Sequence, residues 1–251
     1  MKKIITLSLT LAFIFGLGSL ALAETATNVT VPVPPVVGTE TYQAENIPAI
    51  IDQTTKVSYL ITRGQNLITA RVNYLNALKK QISASKLTDN QKSELTPLID
   101  EQITKLTALK EQIKAGTDLT TLKTQVKSIY TDFRIYSVFA PKIRLMKSID
   151  LQINHLTKNS DEVLAKIQAR IDTAKAKGKD VTARQTALDA AKTQIPALQT
   201  KLSDLYNKAM ALKPADYPDT YKTIITEIRA GIKSVATEFR TLYNGLKKAK
   251  Q

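Results

Sequence analysis

Apolar residues recur at alternating intervals of three and four from about residue 47 to the end of this 251-residue chain. Because an α-helix turns once in ~3.6 residues, this spacing places one continuous apolar stripe along each of several long helices. Such stripes are buried when rod-like helices lie side by side. The pattern therefore predicts an all-α fold, an elongated antiparallel bundle of about six long helices with coiled-coil-like packing.

The predicted helices are long, and their junctions are short. They cover about 48–84, 89–115, 119–139, 142–176, 181–212 and 218–248. The junctions at Gly116 and Gly178 share a glycine followed two residues later by aspartate, which predicts equivalent hairpin turns. In each turn the glycine is expected to be left-handed and the aspartate to cap the next helix.

Two interruptions of the pattern are ambiguous. The flanks of Pro141 are apolar rather than turn-like, which favours a kinked continuation from the third helix into the fourth, with a hairpin as the alternative. The stripe drifts near Asn159 and Ser160, which marks a candidate interruption of the fourth helix.

The chain is predicted to have three parts. Residues 1–23 have a basic start, an apolar run and an Ala-Leu-Ala exit, the profile of a signal peptide. Residues 24–46 contain Pro32, Pro34 and Pro35 without a helical period, which is typical of a disordered tether. Residues 47–251 form the helical bundle domain.

The leader predicts export by the secretory route. The mature chain would begin near Glu24 and would reside in the periplasm, at the cell surface or outside the cell. An uncleaved N-terminal membrane anchor is the alternative, since the apolar run approaches the ~20 residues that span a bilayer.

The chain is strongly basic and has no cysteine. It carries 36 Lys and Arg residues against 22 Asp and Glu residues, a net charge of +14. Without cysteine, disulfides and thiol chemistry are excluded, and stability must come from packing. The positive charge is spread along the chain, which favours a solvated lysine-rich surface over a nucleic-acid site. Weak attraction to proteins, anionic envelope polymers or lipid surfaces is the alternative interpretation.

The sequence predicts no enzyme activity. It contains no nucleophile elbow, no phosphate-binding glycine loop and no zinc signature, and its single histidine, His155, has no second histidine or cysteine to complete a metal site. We therefore expect no catalytic residues, no cofactor and no metal ion.

The stretch from residue 130 to residue 147 concentrates aromatic and basic side chains, which are the types that anchor protein interfaces. Core packing of the aromatic residues is the alternative interpretation, because two of them fall on the apolar stripe. The candidate binding surface comprises Tyr130, Phe133, Arg134, Tyr136, Phe139, Lys142, Arg144 and Lys147.

Two resemblances to known families add expectations. The segment Leu87-Thr88-Asp89-Asn90-Gln91 reads LTxxQ and resembles the Spy/CpxP family of periplasmic chaperones, which implies binding of unfolded clients. A capping box at Thr88 and Gln91 explains the same residues. The segments 134–136, 141–145 and 178–181 resemble uncharacterised exported helical (coiled-coil-like) proteins of small-genome uncultivated bacteria, which implies an envelope location and the same architecture but no known activity.

Together these features predict a non-catalytic envelope protein. It would act as a helical binding or spacer module, chaperone-like for unfolded or acidic clients. A structural or adhesive component of the cell surface is the alternative. Assembly into a homo-oligomer is left open.

Overall fold

A computed structural model describes residues 52–248, except for the side chains of Asn159, Lys247 and Lys248. Every regular element in that range is helical, so the predicted all-α class and helical bundle are confirmed. The predicted signal peptide and tether, residues 1–46, lie outside the described residues. No helix between residues 52 and 248 combines the length and the low charge that a membrane-spanning helix needs.

The described chain has five long α-helices and a short one. They are α1 (Gln53–Ser83), α2 (Asp89–Lys114), α3 (Leu119–Ser128), α4 (Ala140–Ala176), α5 (Thr182–Ala211) and α6 (Asp219–Lys248). Two π-helical turns, Ile129–Phe133 and Ile135–Phe139, connect α3 to α4, and a 3₁₀ turn, Pro214–Asp216, precedes α6. The expectation of about six long helices is therefore wrong for the third, which is 10 residues long.

The third helix is short because the chain leaves helical geometry at Arg134. This residue has φ 39° and ψ 49°, in the left-handed region, and separates the two π-helical turns. The backbone N–H groups of Val138 and Phe139 both donate to the Arg134 carbonyl, at 2.9 and 3.1 Å. Pro141 instead lies in the first turn of α4. Backbone N–H groups in a first turn have no partner within the helix, so the missing N–H of proline costs no intrahelical hydrogen bond. The irregularity thus precedes the proline by seven residues.

The two glycine–aspartate junctions are not equivalent. Gly178 has φ 70°, and the amides of Gly178 and Lys179 donate back to α4 carbonyls as in a Schellman motif. Gly116 has no positive φ, so its expected left-handed geometry is wrong. A Cβ at Gly116 would lie 2.5 Å from Leu122 Cδ2, so the glycine lets the Leu122 side chain pack closely against this junction. Asp118 caps α3 as expected, accepting from the Thr121 amide at 2.6 Å.

Helix α4 runs without a break through Asn159 and Ser160, so the candidate interruption there is wrong. Ser160 is buried, and its hydroxyl has no hydrogen-bond partner. The LTxxQ segment forms the capping box: the Gln91 amide donates to Thr88 Oγ1 at 3.3 Å, and the Thr88 amide donates to Gln91 Oε1 at 3.0 Å.

The apolar stripes form the core. Helix α1 packs against α2 and α3, α4 packs against α5, and α5 packs against α6. Buried Leu and Ile side chains dominate the interfaces, and each stabilises the fold by about 1.5–3 kcal/mol. Gly64 allows α1 to pack closely against α2 and α3, because a Cβ there would lie 3.0 Å from Ile113 and 3.2 Å from Val126.

Candidate binding surface

Arg71 on α1 is the buried centre of an aromatic cluster. Its side chain is 2% exposed, and its guanidinium carbon lies 4.9 Å from the Tyr130 ring centroid and 5.0 Å from that of Tyr136. It also donates to the Leu67 carbonyl at 3.2 Å. A cation over an aromatic face is worth about 2 kcal/mol when both are desolvated, so these contacts hold the π-helical turns against α1.

A second arginine covers the cluster from α4. The guanidinium carbon of Arg144 lies 5.6 Å from the centroid of the Tyr74 ring, and Tyr74 meets Tyr136 edge to face at 5.1 Å. Burial raises the pKa of Tyr74, and the positive charge of Arg144 opposes that shift. Arg144 itself is exposed. We call the five residues Arg71, Tyr74, Tyr130, Tyr136 and Arg144 the arginine–tyrosine cluster.

A second pair of arginine and tyrosine side chains, Arg63 and Tyr59, lies nearer the start of α1. Tyr59 is 39% exposed and is the one exposed large apolar side chain among residues 52–248. Arg63 donates to its hydroxyl at 3.3 Å, with the guanidinium carbon 6.0 Å from the ring centroid. Arg63 and Arg144 take part in no ion pair within the described part of the chain. Their charges are therefore not neutralised by a described carboxylate.

Lys142 and Arg134, two residues of the predicted surface, contact residues outside the arginine–tyrosine cluster. Lys142 donates to the carbonyls of Met210 and Leu212, the second at 3.0 Å, and so caps the C-terminal end of α5. Burial lowers the pKa of Lys142, and the nearby Asp216 opposes that shift. The guanidinium carbon of Arg134 lies 4.6 Å from the Tyr217 ring centroid, just before α6.

The structure therefore divides the eight predicted surface residues. Tyr130, Tyr136 and Arg144 come together in the arginine–tyrosine cluster. Phe133 and Phe139 are half-buried and pack on the core, and Lys147 is buried.

Sequence reasoning missed two members of the cluster. The predicted binding surface did not include Arg71 and Tyr74, although they lie three residues apart on one face of α1 and contact the segment from 130 to 144. An arginine on an apolar stripe, followed one turn later by tyrosine, was the available signal.

Residues 52–248 hold no group of three or more His, Cys, Asp or Glu side chains placed to bind a metal ion. His155, the single histidine, lies on α4, and burial lowers its pKa. Comparisons with models of protein families, with curated proteins and with solved structures found no match. The two family resemblances therefore stay predictions.

Proposed function

We propose that this protein is a non-catalytic exported envelope protein that binds acidic segments of client proteins on the arginine–tyrosine cluster. The observation that carries the proposal is the exposed Arg144 guanidinium held over Tyr74, beside Arg71 stacked on Tyr130 and Tyr136. Arginine grips carboxylates through paired N–H groups, and tyrosine supplies rigid apolar contact area.

The three arginines have different roles in this proposal. Arg71 is nearly inaccessible, so it fixes the tyrosine rings rather than contacting a client. Arg144 is exposed and Arg63 is half-buried, and both offer guanidinium groups that no described carboxylate neutralises. Acidic residues of a client would pair with these two groups while its apolar residues cover Tyr59. The excess positive charge of the chain would speed the encounter.

We further propose that the helices form an elongated antiparallel bundle that acts as a rigid support. Hydrogen bonds join Lys79 to Asp100 and Thr69 to Lys110, so numbers rise along α1 as they fall along α2. Thr157 to Gln199 and Gln168 to Lys192 follow the same order between α4 and α5. Lys201 to Glu238 and Lys208 to Glu227 follow it between α5 and α6. Each pairing is what antiparallel neighbours require.

A binding measurement tests the proposal directly. The probe is a fluorescently labelled peptide in which Glu alternates with apolar residues, compared with the same peptide carrying Gln for Glu. The full chain should bind the acidic peptide more tightly, and the double variant Arg63→Gln, Arg144→Gln should lose about tenfold in affinity, or 1.4 kcal/mol. The control variant Arg170→Gln, Lys175→Gln removes the same charge from exposed positions on α4 and should change affinity less than about twofold.

Equal losses in the two double variants would show that general charge, and not the cluster, attracts the peptide. Protection of an unfolding client from aggregation by the full chain would extend the proposal to chaperone activity. Co-sedimentation with isolated cell walls, without peptide binding, would instead support the structural or adhesive alternative.

A further inference from the structure

A buried acidic group lies where α2, α4 and α5 meet, among contacts that the arginine–tyrosine cluster does not use. Asp150 on α4 is 5% exposed, and its Oδ2 atom has no hydrogen-bond partner. Its charge interacts with that of Glu94 on α2. The Tyr206 hydroxyl on α5 donates to Glu94 Oε2 at 3.2 Å. The negative charge of Asp150 also contributes to a raised pKa of Tyr206. Three oxygen-bearing side chains from three helices therefore converge.

Two amide side chains lie beside this acidic group. Asn154, one turn after Asp150 on α4, donates to Gln91 Oε1 at 2.7 Å, and Gln91 donates back to Asn154 Oδ1 at 3.2 Å. The Gln91 side chain also lowers the pKa of Asp150, against the larger effect of burial. Carboxylate and amide oxygens of this kind are ligands for hard cations.

The electrostatics of the location favour a positive ligand. Burial, together with Glu94, raises the pKa of Asp150 to about 7. Burial, together with Asp150 and Glu94, also raises the pKa of Tyr206. A charged Asp150 is thus poorly compensated, although the chain as a whole is strongly basic. An orphaned carboxylate oxygen next to a second carboxylate gains stability from any cation that reaches it.

We propose that Asp150 and Glu94, with the amide oxygen of Asn154, bind one calcium ion beside Tyr206. Calcium accepts six to eight oxygen ligands in flexible geometry, so water completes a set of only two carboxylates. The ligand set contains no sulfur, and a third acidic or histidine ligand is not placed there in the described residues, which disfavours zinc. Two carboxylates and a buried Lys147 three residues before Asp150 predict weak binding, in the range of about 0.1–1 mM.

Terbium luminescence is the appropriate probe, because a tyrosine close to a bound terbium ion transfers excitation energy to it and Tyr206 lies in the site. The full chain, excited at its tyrosines, should give saturable terbium emission that calcium displaces. Asp150→Asn should reduce terbium affinity by about tenfold or more, and Tyr206→Phe should reduce the emission intensity. Asp204→Asn removes an acidic side chain at an exposed position of α5 and serves as the matched control, with affinity within about twofold of the unchanged chain.

Folding does not confuse the result, because Asp150→Asn replaces a poorly solvated acid by a neutral group of equal size, and circular dichroism verifies the helix content. A second readout is the unfolding temperature, which calcium should raise in the unchanged chain and in Asp204→Asn but not in Asp150→Asn. Emission that is unsaturable, insensitive to calcium or equal in Asp150→Asn would overturn the calcium site. That outcome would leave the peptide-binding proposal unaffected, since the peptide assay uses other residues.

Discussion

Arg71 on α1 and Tyr130 in the π-helical connection lie 4.9 Å apart, measured from the guanidinium carbon to the ring centroid. The same guanidinium lies 5.0 Å from Tyr136, so one buried cation contacts both π-helical turns that flank the left-handed Arg134. A backbone conformation that a non-glycine residue rarely adopts costs about 1–3 kcal/mol and persists only where its surroundings hold it. Arg71 supplies part of that support.

Replacing Arg71 should therefore destabilise the fold. Arg71→Ala removes two cation–π contacts and leaves a cavity beneath the tyrosine rings, and we expect a loss of about 2–4 kcal/mol in the free energy of unfolding. Arg71→Lys keeps the charge but loses the planar stacking surface, so its loss should be smaller. Urea unfolding measures both, with Arg170→Ala at an exposed position of α4 as the control, within about 0.5 kcal/mol of the unchanged chain. Equal stability of Arg71→Ala and the control would contradict this role.

Stability should fall as pH rises through the range set by Asp150. Its pKa is raised from 3.8 to about 7 in the folded chain, so between those values the folded state binds the proton that the unfolded state has lost. Protonation thus favours folding below pH ~4, and that contribution, at most about 4 kcal/mol, is lost as pH reaches about 7. The calcium-free chain should unfold at lower urea concentration at pH 8 than at pH 5.

The variant Asp150→Asn isolates this effect, because the amide does not titrate. Its stability should change less between pH 5 and pH 8 than that of the unchanged chain, and it should exceed the unchanged chain at pH 8. Glu94 and Tyr206 lie nearby, Lys147 is three residues earlier on α4, and all three stay present in both proteins, so the difference between the two profiles belongs to Asp150. Parallel pH profiles would show that Asp150 is ionised throughout this range.

Two helical glycines should respond in opposite directions to alanine. Gly64→Ala places a methyl group 3.0 Å from Ile113 and 3.2 Å from Val126, and overpacking of this kind costs about 1–3 kcal/mol. Gly245→Ala meets no atom within 4 Å and should stabilise α6 by about 0.5–1 kcal/mol through better helix propensity. Thermal unfolding of the two variants should move the midpoint down and up respectively. A stabilised Gly64→Ala would mean that α1 packs more loosely against α2 and α3.

Loss of the Lys142 cap should loosen the end of α5. Lys142→Met keeps the apolar stem but removes the ammonium donor to the carbonyls of Met210 and Leu212, and we expect a cost of about 1–3 kcal/mol. Hydrogen exchange should become faster in the last turn of α5, where the capped carbonyls lie, and stay unchanged in α2. If the substitution changed the exchange rates of α5 and α2 by the same factor, or changed neither, a local capping role for Lys142 would be contradicted.

The long helices were predictable because their signals are local. The predicted ends of the second, fifth and sixth helices lie within one residue of those of α2, α5 and α6, where the apolar stripe and adjacent turn residues agree. Helix α1 begins at Gln53, because Asp52 accepts from the Thr55 amide at 3.0 Å and so caps the helix; residues 48–51 of the predicted first helix lie outside the described residues. That cap was present in the sequence as an aspartate before the first helical turn.

The connection between α3 and α4 was not predictable in the same way. Its residues continue the apolar spacing, yet Arg134 takes a left-handed conformation that depends on contacts with distant residues, including Tyr217. The same limit applies to the sites. Sequence spacing located Tyr130 and Tyr136, but the choice of Arg71 as their buried neighbour is set by how α1 meets the π-helical connection, and the surroundings of Asp150 are set by α2 and α5.

Hydrogen exchange of the full chain, with and without the acidic peptide, tests the central proposal most directly. Binding at the arginine–tyrosine cluster predicts that exchange slows along α1 from residue 59 to residue 74 and across residues 130–144, while α6 is unchanged. Slower exchange confined to α5 and α6, or none at saturating peptide, would contradict the assignment of the binding surface to this cluster.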